Sequence, residues 1–388
     1  METLQIGIAT EQFPLDRLNL QPWRYLCDLA LALHRQGHEV RFLTNTRDAR
    51  DYSGIPLVHH PESRDFEDGR GLQRLLTAAK TDIGIFRMTA QLFLSMRRPP
   101  DAGHRSAVGI FLRPLYRGPD LRRRFLDPVL LPEIRWDLHH AALYLSRQLG
   151  VWKHSIRYVD RYVTLWRADR DTAVAGGLPA AACTTVPHPF NPFFLEPVGG
   201  DLAPPLDALP PSRRRVVFAG PPEASRGAFD VLRLVKAFPP EAPTQVLALL
   251  RDPVPQKVEV SVTRRGPHTL AVVRGLVPRS LIRAAYRASQ CAVFPYRWVR
   301  TSFPLVVSEA VAAGLPVVTC RVHPIRELAD RTGLIFSEPG DLKGLARAVT
   351  SALDGIDQEE SARRNRAWIA STPDWDAVAR GVLSGVGG

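Results

Sequence analysis

Cysteine is scarce in this chain. Only Cys27, Cys183, Cys291 and Cys320 occur among 388 residues, and they lie too far apart to spell a metal-binding pattern. That excludes a disulfide-stapled scaffold and points to a reduced, cytoplasmic protein. No run of about 18 apolar residues is present, so no membrane-spanning helix is expected. The opening METLQIGIAT lacks a basic start and a small-residue cleavage site, and reads as a strand rather than a signal peptide. A Gly-rich P-loop, a nucleophile elbow, a zinc-binding His/Cys set and internal repeats are also missing. Lysine is rare: five of the 51 basic residues are Lys and 46 are Arg, in a chain of net charge +12. Arginine in this excess has two readings of equal weight. One is a GC-rich coding sequence. The other is attraction to an anionic partner, such as a nucleotide diphosphate, a membrane surface or a nucleic acid. No nucleic-acid module or interleaved aromatics accompany the arginines, which argues against nucleic acid.

What is present fits an ordinary globular protein, 45% apolar and 23% charged, long enough for two domains. The chain is organised around TSFPLVVSEAVAAGLPVVTC, residues 301–320. Thr301 or Ser302 suits a helix cap, and Pro304 suits the first turn. Residues 305–313 are apolar almost all round, as in a buried helix. Gly314 ends the helix, Pro316 forbids its continuation, and 317–319 read as a buried parallel strand. The first amides of such a helix, near Leu305 and Val306, are a ready anion site. Glu309 lies one turn on and leans back toward that end. On so apolar a helix its carboxylate needs a hydrogen-bonding partner, and a sugar diol would serve. The alternative is that Glu309 only complements the helix dipole.

Before this stretch, strands at 4–9 and 38–44 flank a helix over 22–36, a βαβ unit that implies a parallel sheet. Further strands are predicted at 82–88, 107–112 and 157–165. The spacing of Ile134, Leu138, Ala141, Leu145 and Leu149 predicts a helix over 133–153. In 113–136, three arginines at 122–124 lie beside Leu121 and Phe125. That mixture suggests contact with a membrane surface or an anionic acceptor, against a solvated helix start with core anchors. Asp169-Arg170-Asp171 spells a metal-binding pattern but falls where a helix starts, and is read as capping. The second half repeats the alternation, with strands at 216–220, 245–250, 269–273, 291–295 and 333–336 and a helix over 342–353.

Residues 301–320 resemble the donor-site signature of family-4 GT-B glycosyltransferases. There a Glu, seven residues and a second Glu flank a Phe-Gly/Pro-Leu-Val turn, followed by Glu-Ala-Met-Ala-Ala-Gly-x-Pro-Val-Val. Here the second Glu is Glu309, and Thr301 stands where the first would fall. Gly220 followed by Arg226-Gly227 resembles the family's Gly-Arg-Leu…Lys-Gly, with Arg226 for the Lys and Pro221 for the Arg. Residues 274–277 match a turn whose backbone contacts the nucleotide base, and 186–194 resemble the last strand and turn of the first domain. The resemblance implies an α/β fold of two Rossmann-like domains facing across a cleft (GT-B). Residues 1–195 would bind the acceptor, 196–212 link, 213–360 bind the nucleotide sugar, and 361–388 form a helix crossing back.

The resemblance also implies roles. Glu309 binds the ribose, Leu305 and Val306 with the Phe303 turn hold the diphosphate, and Leu276 and Val277 meet the base. Gly220 and Arg226 grip the diphosphate, with Arg297 and Arg300 as candidate replacements for the cation lost at Pro221. Thr301 contacts the transferred sugar without a charge. On the acceptor side stand Phe13 as a lip, Arg113 in place of a family His, and His188. The implied activity is transfer of a hexosyl or pentosyl group from a nucleotide-diphosphate sugar to an acceptor hydroxyl, with retention and without metal or cofactor. The acceptor would be a lipid-linked or small-molecule glycan, and nucleic acid is not expected. The setting would be cytoplasmic carbohydrate biosynthesis, with attachment to the cytoplasmic face of a membrane among the readings. The alternatives are a GT-B-shaped protein that binds a nucleotide or anion without transfer, and a relative that uses an amine acceptor.

Overall fold

The structure is a computed structural model that describes residues 3–11, 13, 23–47, 51–61, 66, 68–95, 106–155, 158–196, 204–252, 257–301, 303–356 and 358–386. Two sheets organise it. The first contains β1 (Gln5–Ala9), β2 (Glu39–Thr44), β3 (Asp51–Tyr52), β4 (Ile55–His59), β5 (Ile83–Arg87), β6 (Ser106–Phe111), β7 (Arg161–Thr164) and β8 (Cys183–Thr185). Their order is β3-β4-β2-β1-β5-β6-β7-β8, parallel except for the β3–β4 hairpin. The second contains β9 (Arg215–Gly220), β10 (Gln245–Arg251), β11 (Glu259–Arg265), β12 (His268–Gly275), β13 (Cys291–Phe294), β14 (Val317–Cys320) and β15 (Ile335–Ser337). Its order is β11-β12-β10-β9-β13-β14-β15, with only β11 antiparallel. Strands such as β6 and β13 are buried along their whole length, because helices cover both faces of a parallel sheet. In each sheet the order reverses beside one strand, β1 in the first and β9 in the second. Ligands of open α/β sheets bind outside the carboxyl ends of the strands at such switch points.

The sequence reading needs four corrections here. The helix expected over 133–153 is a 3₁₀ turn at Leu131–Trp136, a helix at Leu138–Gln148 and a short turn at Trp152–Ser155. The last strand of the first domain is Cys183–Thr185, ahead of the expected 186–194. The end of the chain carries two helices, Gln358–Ser371 and Trp375–Leu383, divided before Pro373, where the residue ahead of a proline leaves the helical region. β3, β4, β11 and the helix Gly69–Ala78 had no periodic signal strong enough to read.

The domains meet at several places among the described residues. The helix Trp375–Leu383 lies along Trp23–Arg35, with Asp376 bonded to Arg35 (2.7 Å) and the Trp375 ring 5.3 Å from Tyr25. Phe303 stacks on Trp166 (5.2 Å, 16°) and on His188 (5.2 Å, 19°) of the first domain. The excursion after β6 reaches into the second domain: Tyr116 stacks on Trp298 at 3.6 Å, and its hydroxyl donates to the Val299 carbonyl. Within the excursion Arg124 and Asp137 form a fully buried ion pair, and Asp137 also accepts from Arg300 Nε (3.0 Å). Charges out of water are tolerated only when well paired, and removal of one partner leaves the other uncompensated. Asp137→Asn should therefore destabilise the fold by about 3–5 kcal/mol in guanidinium denaturation; a loss below about 1 kcal/mol would mean the pair is not buried in solution.

Candidate functional site

Two loops line the second domain's switch point, 221–227 after β9 and 295–304 after β13. They touch because Gly227 has φ +74° and no side chain; a Cβ there would lie 2.0 Å from the Pro295 carbonyl oxygen. The Ser225 carbonyl accepts from the amides of Arg297 (2.9 Å) and Trp298 (3.0 Å). Gly220 closes β9, and Arg226 extends from the first loop. Its guanidinium donates to Glu223 (3.4 Å) and to the Tyr296 hydroxyl (3.4 Å). Burial raises the Tyr296 hydroxyl's pKa; Arg226 opposes this, while the Glu223 and Glu309 carboxylates add to it. The buried Tyr296 hydroxyl thus lies in the field of both Arg226 and Glu309.

Part of this loop is already occupied by the protein. The Glu133 carboxylate, from the first domain, accepts from the amides of Ala224 (2.6 Å) and Ser225 (3.2 Å) and from Arg300 Nη2 (2.7 Å). Arg300 also donates to Asp137 (3.0 Å) and Glu223 (3.2 Å), and Arg297 holds Asp230 in a two-point bond (2.7 and 2.9 Å). Neither arginine is spare for the cation lost at Pro221, a correction to the expectation. The charge of Arg300 meets carboxylates at the domain junction, and that of Arg297 chiefly meets Asp230 of its own domain.

The helix expected at 305–313 forms at Leu305–Ala312. Its N-cap is Pro304, which supplies no capping side chain, and Ser302 lies outside the described residues. Thr301 is not the N-cap residue, and the amides of Leu305 and Val306 open the helix. Glu309 sits in a small crevice with Arg24, Asp28, His188, Ser308 and Trp375. Burial raises its pKa to about 7, opposed by Arg279 and Arg24. Asp28, bonded to Arg24, is likewise raised by burial. Thr301 is half-buried two residues before the stacked Phe303. Val277 is buried, whereas the Leu276 side chain is exposed.

On the first-domain side the three expected residues separate. Phe13 is buried against Phe42 (4.7 Å) and Tyr52 (5.8 Å), so it is core rather than a lip; 14–22 lie outside the described residues. His188 is buried among Phe303, Tyr25 and Trp375 beside the Glu309 crevice, with its pKa lowered to about 4 by burial. Arg113 lies just past β6, half-buried, near His139 and His140. Burial, then Arg113, Arg87 and Arg300, lower His139 to about 3. Asp169 is not a cap: the first amides of the helix Arg167–Ala175 donate to the Glu327 carboxylate (3.2 and 2.9 Å), and Asp169 accepts from the Leu115 amide (2.9 Å) and lies 3.0 Å from His323 Nε2. Among the described residues no group of three or more His, Cys, Asp or Glu is placed to hold a metal.

The chain is similar to known proteins in part of its sequence and in its fold. Residues 214–355, the second sheet and its helices, match the family model for glycosyl transferases, group 1. That match covers less than half of the chain. Glycogen synthase of Mycobacterium tuberculosis is 28% identical over 169 residues, which is 42% of this chain and 40% of the synthase. The fold as a whole is GT-B. Sucrose-phosphate synthase from Thermosynechococcus elongatus superposes with a TM-score of 0.66 at 16% identity, covering 97% of this chain and 96% of that one. Anabaena HepE, solved in complex with UDP-glucose, superposes at 0.63 with 11% identity, covering 98% of each chain.

The two domains also contribute residues that the sequence reading passed over: Arg24, Asp28, Arg279, Tyr296 and Glu133. Arg24 and Asp28 carry a visible i,i+4 signal on the first helix. Glu133 has none, being 91 residues from the amide that it binds. The raised Glu309 carboxyl has a consequence for stability. Unfolded, it loses its proton near 4.5; folded, near 7. Between these values the folded state holds the extra proton, so stability falls as pH rises through that window. Glu309→Gln should remove that fall, leaving the variant matched to the parent near pH 4.5 and more stable at pH 8. Parallel denaturation curves for the two proteins across that window would show the carboxylate ionised throughout.

Proposed function

We propose that this protein transfers a sugar from a nucleotide-diphosphate donor to an acceptor hydroxyl, with retention of anomeric configuration. The observation that carries the reading is the order of elements at one switch point: the loop after β9 bears Arg226, and the neighbouring β13 leads into the helix that opens at Leu305 and bears Glu309. The second domain would hold the donor and the first the acceptor. The amides of Leu305 and Val306 and the Arg226 cation would stabilise the diphosphate as it leaves. A diphosphate outweighs the single charge of Glu223 for Arg226. A ribose diol would supply Glu309 with donors, favouring its charged form. Thr301 would hold the transferred sugar by a hydroxyl instead of a carboxylate. Gly220, Leu276 and Val277 would shape the backbone around phosphate and base, and Arg113 and His188 would face the acceptor. The departing diphosphate, on the acceptor's own side, would help take its proton, so no separate base or metal is required. The relatives' names and the UDP-glucose bound to HepE support a hexosyl nucleotide as the first donor to try.

A second reading is favoured by one observation: Glu133 already fills the amides of Ala224 and Ser225. A protein held so would bind a nucleotide without transferring its sugar. A panel of nucleotide sugars separates the two. Slow donor hydrolysis is the expected result; thermal stabilisation by nucleotide with no hydrolysis or transfer would favour the binding protein. Arg226→Ala should lower kcat/KM about 10- to 150-fold, the worth of one charged hydrogen bond. Unchanged turnover would place Arg226 outside the site.

A further inference from the structure

The helix Leu138–Gln148 presents its apolar stripe to the outside. Leu138, Leu145 and Leu149 recur at helical spacing, the pattern of a core-facing helix. They are instead 57%, 56% and 73% exposed, with Ala142 exposed between them. The neighbouring turn adds Leu131 and Trp136, the latter 56% exposed under the Arg135 guanidinium at 4.7 Å. Fourteen large apolar side chains are exposed among the described residues, and seven of them lie between 126 and 149. Scattered exposed leucines need no explanation, but a cluster marks an interaction surface.

The charges of this segment are sorted. All four carboxylates between 117 and 155 are paired with arginines: Asp120 with Arg326, Asp127 with Arg297, Glu133 with Arg300, and Asp137 with Arg124 and Arg300. The exposed charges left on the segment are basic, Arg117, Arg122, Arg123, Arg135 and Lys153. An apolar stripe rimmed by cations, with an aromatic ring at the edge, matches the interface of an anionic bilayer, where leucine enters the acyl boundary and arginine stays with the headgroups. A purely apolar partner would not explain why the acids are withdrawn.

We propose that the outer face of residues 117–155 docks the protein on an anionic lipid bilayer. The test is co-sedimentation of the full chain with vesicles of phosphatidylglycerol and phosphatidylcholine at about 3:7, against phosphatidylcholine alone, in low and high salt. Binding is expected only with the anionic lipid, and salt should weaken it. Arg122→Gln with Arg123→Gln should weaken binding about fivefold per charge removed. Leu145→Glu with Leu149→Glu should abolish it while leaving thermal stability unchanged, since both side chains are exposed. Equal binding to both vesicles, or none, overturns the proposal. So does a parent dimer without lipid that Leu145→Glu/Leu149→Glu converts to a monomer, because the face would then belong to a second copy. The readout needs no turnover, so it stands apart from the transferase reading.

Discussion

Four side chains at the domain junction set the terms for everything around them. Arg124 and Arg300 share Asp137, and Arg300 also holds Glu133, whose carboxylate receives two amides of the loop after β9. Buried ion pairs of this kind add little net stability against an apolar packing of the same shape. Their contribution here is specificity of placement. They fix the long excursion after β6 against two loops of the second domain, and so decide which amides of the cleft face a ligand and which are already bonded.

This arrangement explains the sorting of charge. A chain with net charge +12 has few carboxylates to spend. Glu133, Asp137 and Glu223 surround Arg300 at the junction, and Asp127 adds to the pairing of Arg297 with Asp230. The crevice beside the helix Leu305–Ala312 then depends on a different set: Glu309 and Asp28 against Arg24 and Arg279. The two sets are linked through Tyr296, whose hydroxyl meets Arg226 and lies within the field of Glu309.

The second sheet is the part most open to reading from sequence. The Gly220, Gly227, Pro304 and Gly314 punctuation and the continuous Val/Ala runs of β9, β13 and β14 follow from backbone conformation and burial on two faces, which are local properties. The helix Leu342–Leu353 falls where its spacing places it. What escapes has no local cause. β11 is polar and almost fully exposed, and is a strand only because β12 offers it an edge. The Leu138–Leu149 stripe has the right period and the wrong destination, since periodicity gives a face but not what covers it. Phe13 and Glu133 likewise owe their roles to distant partners, Phe42 and Ala224, which no spacing announces.

The ring of Phe303 lies nearly parallel to those of Trp166 and His188. Parallel rings resist being pulled apart but slide over one another at small cost, because contact area is kept as they shift. At this point the two halves are therefore joined like plates on a spindle. The inexpensive motion is a twist in the plane of the rings, and a jaw-like gape, which would have to peel the stack open, is the expensive one.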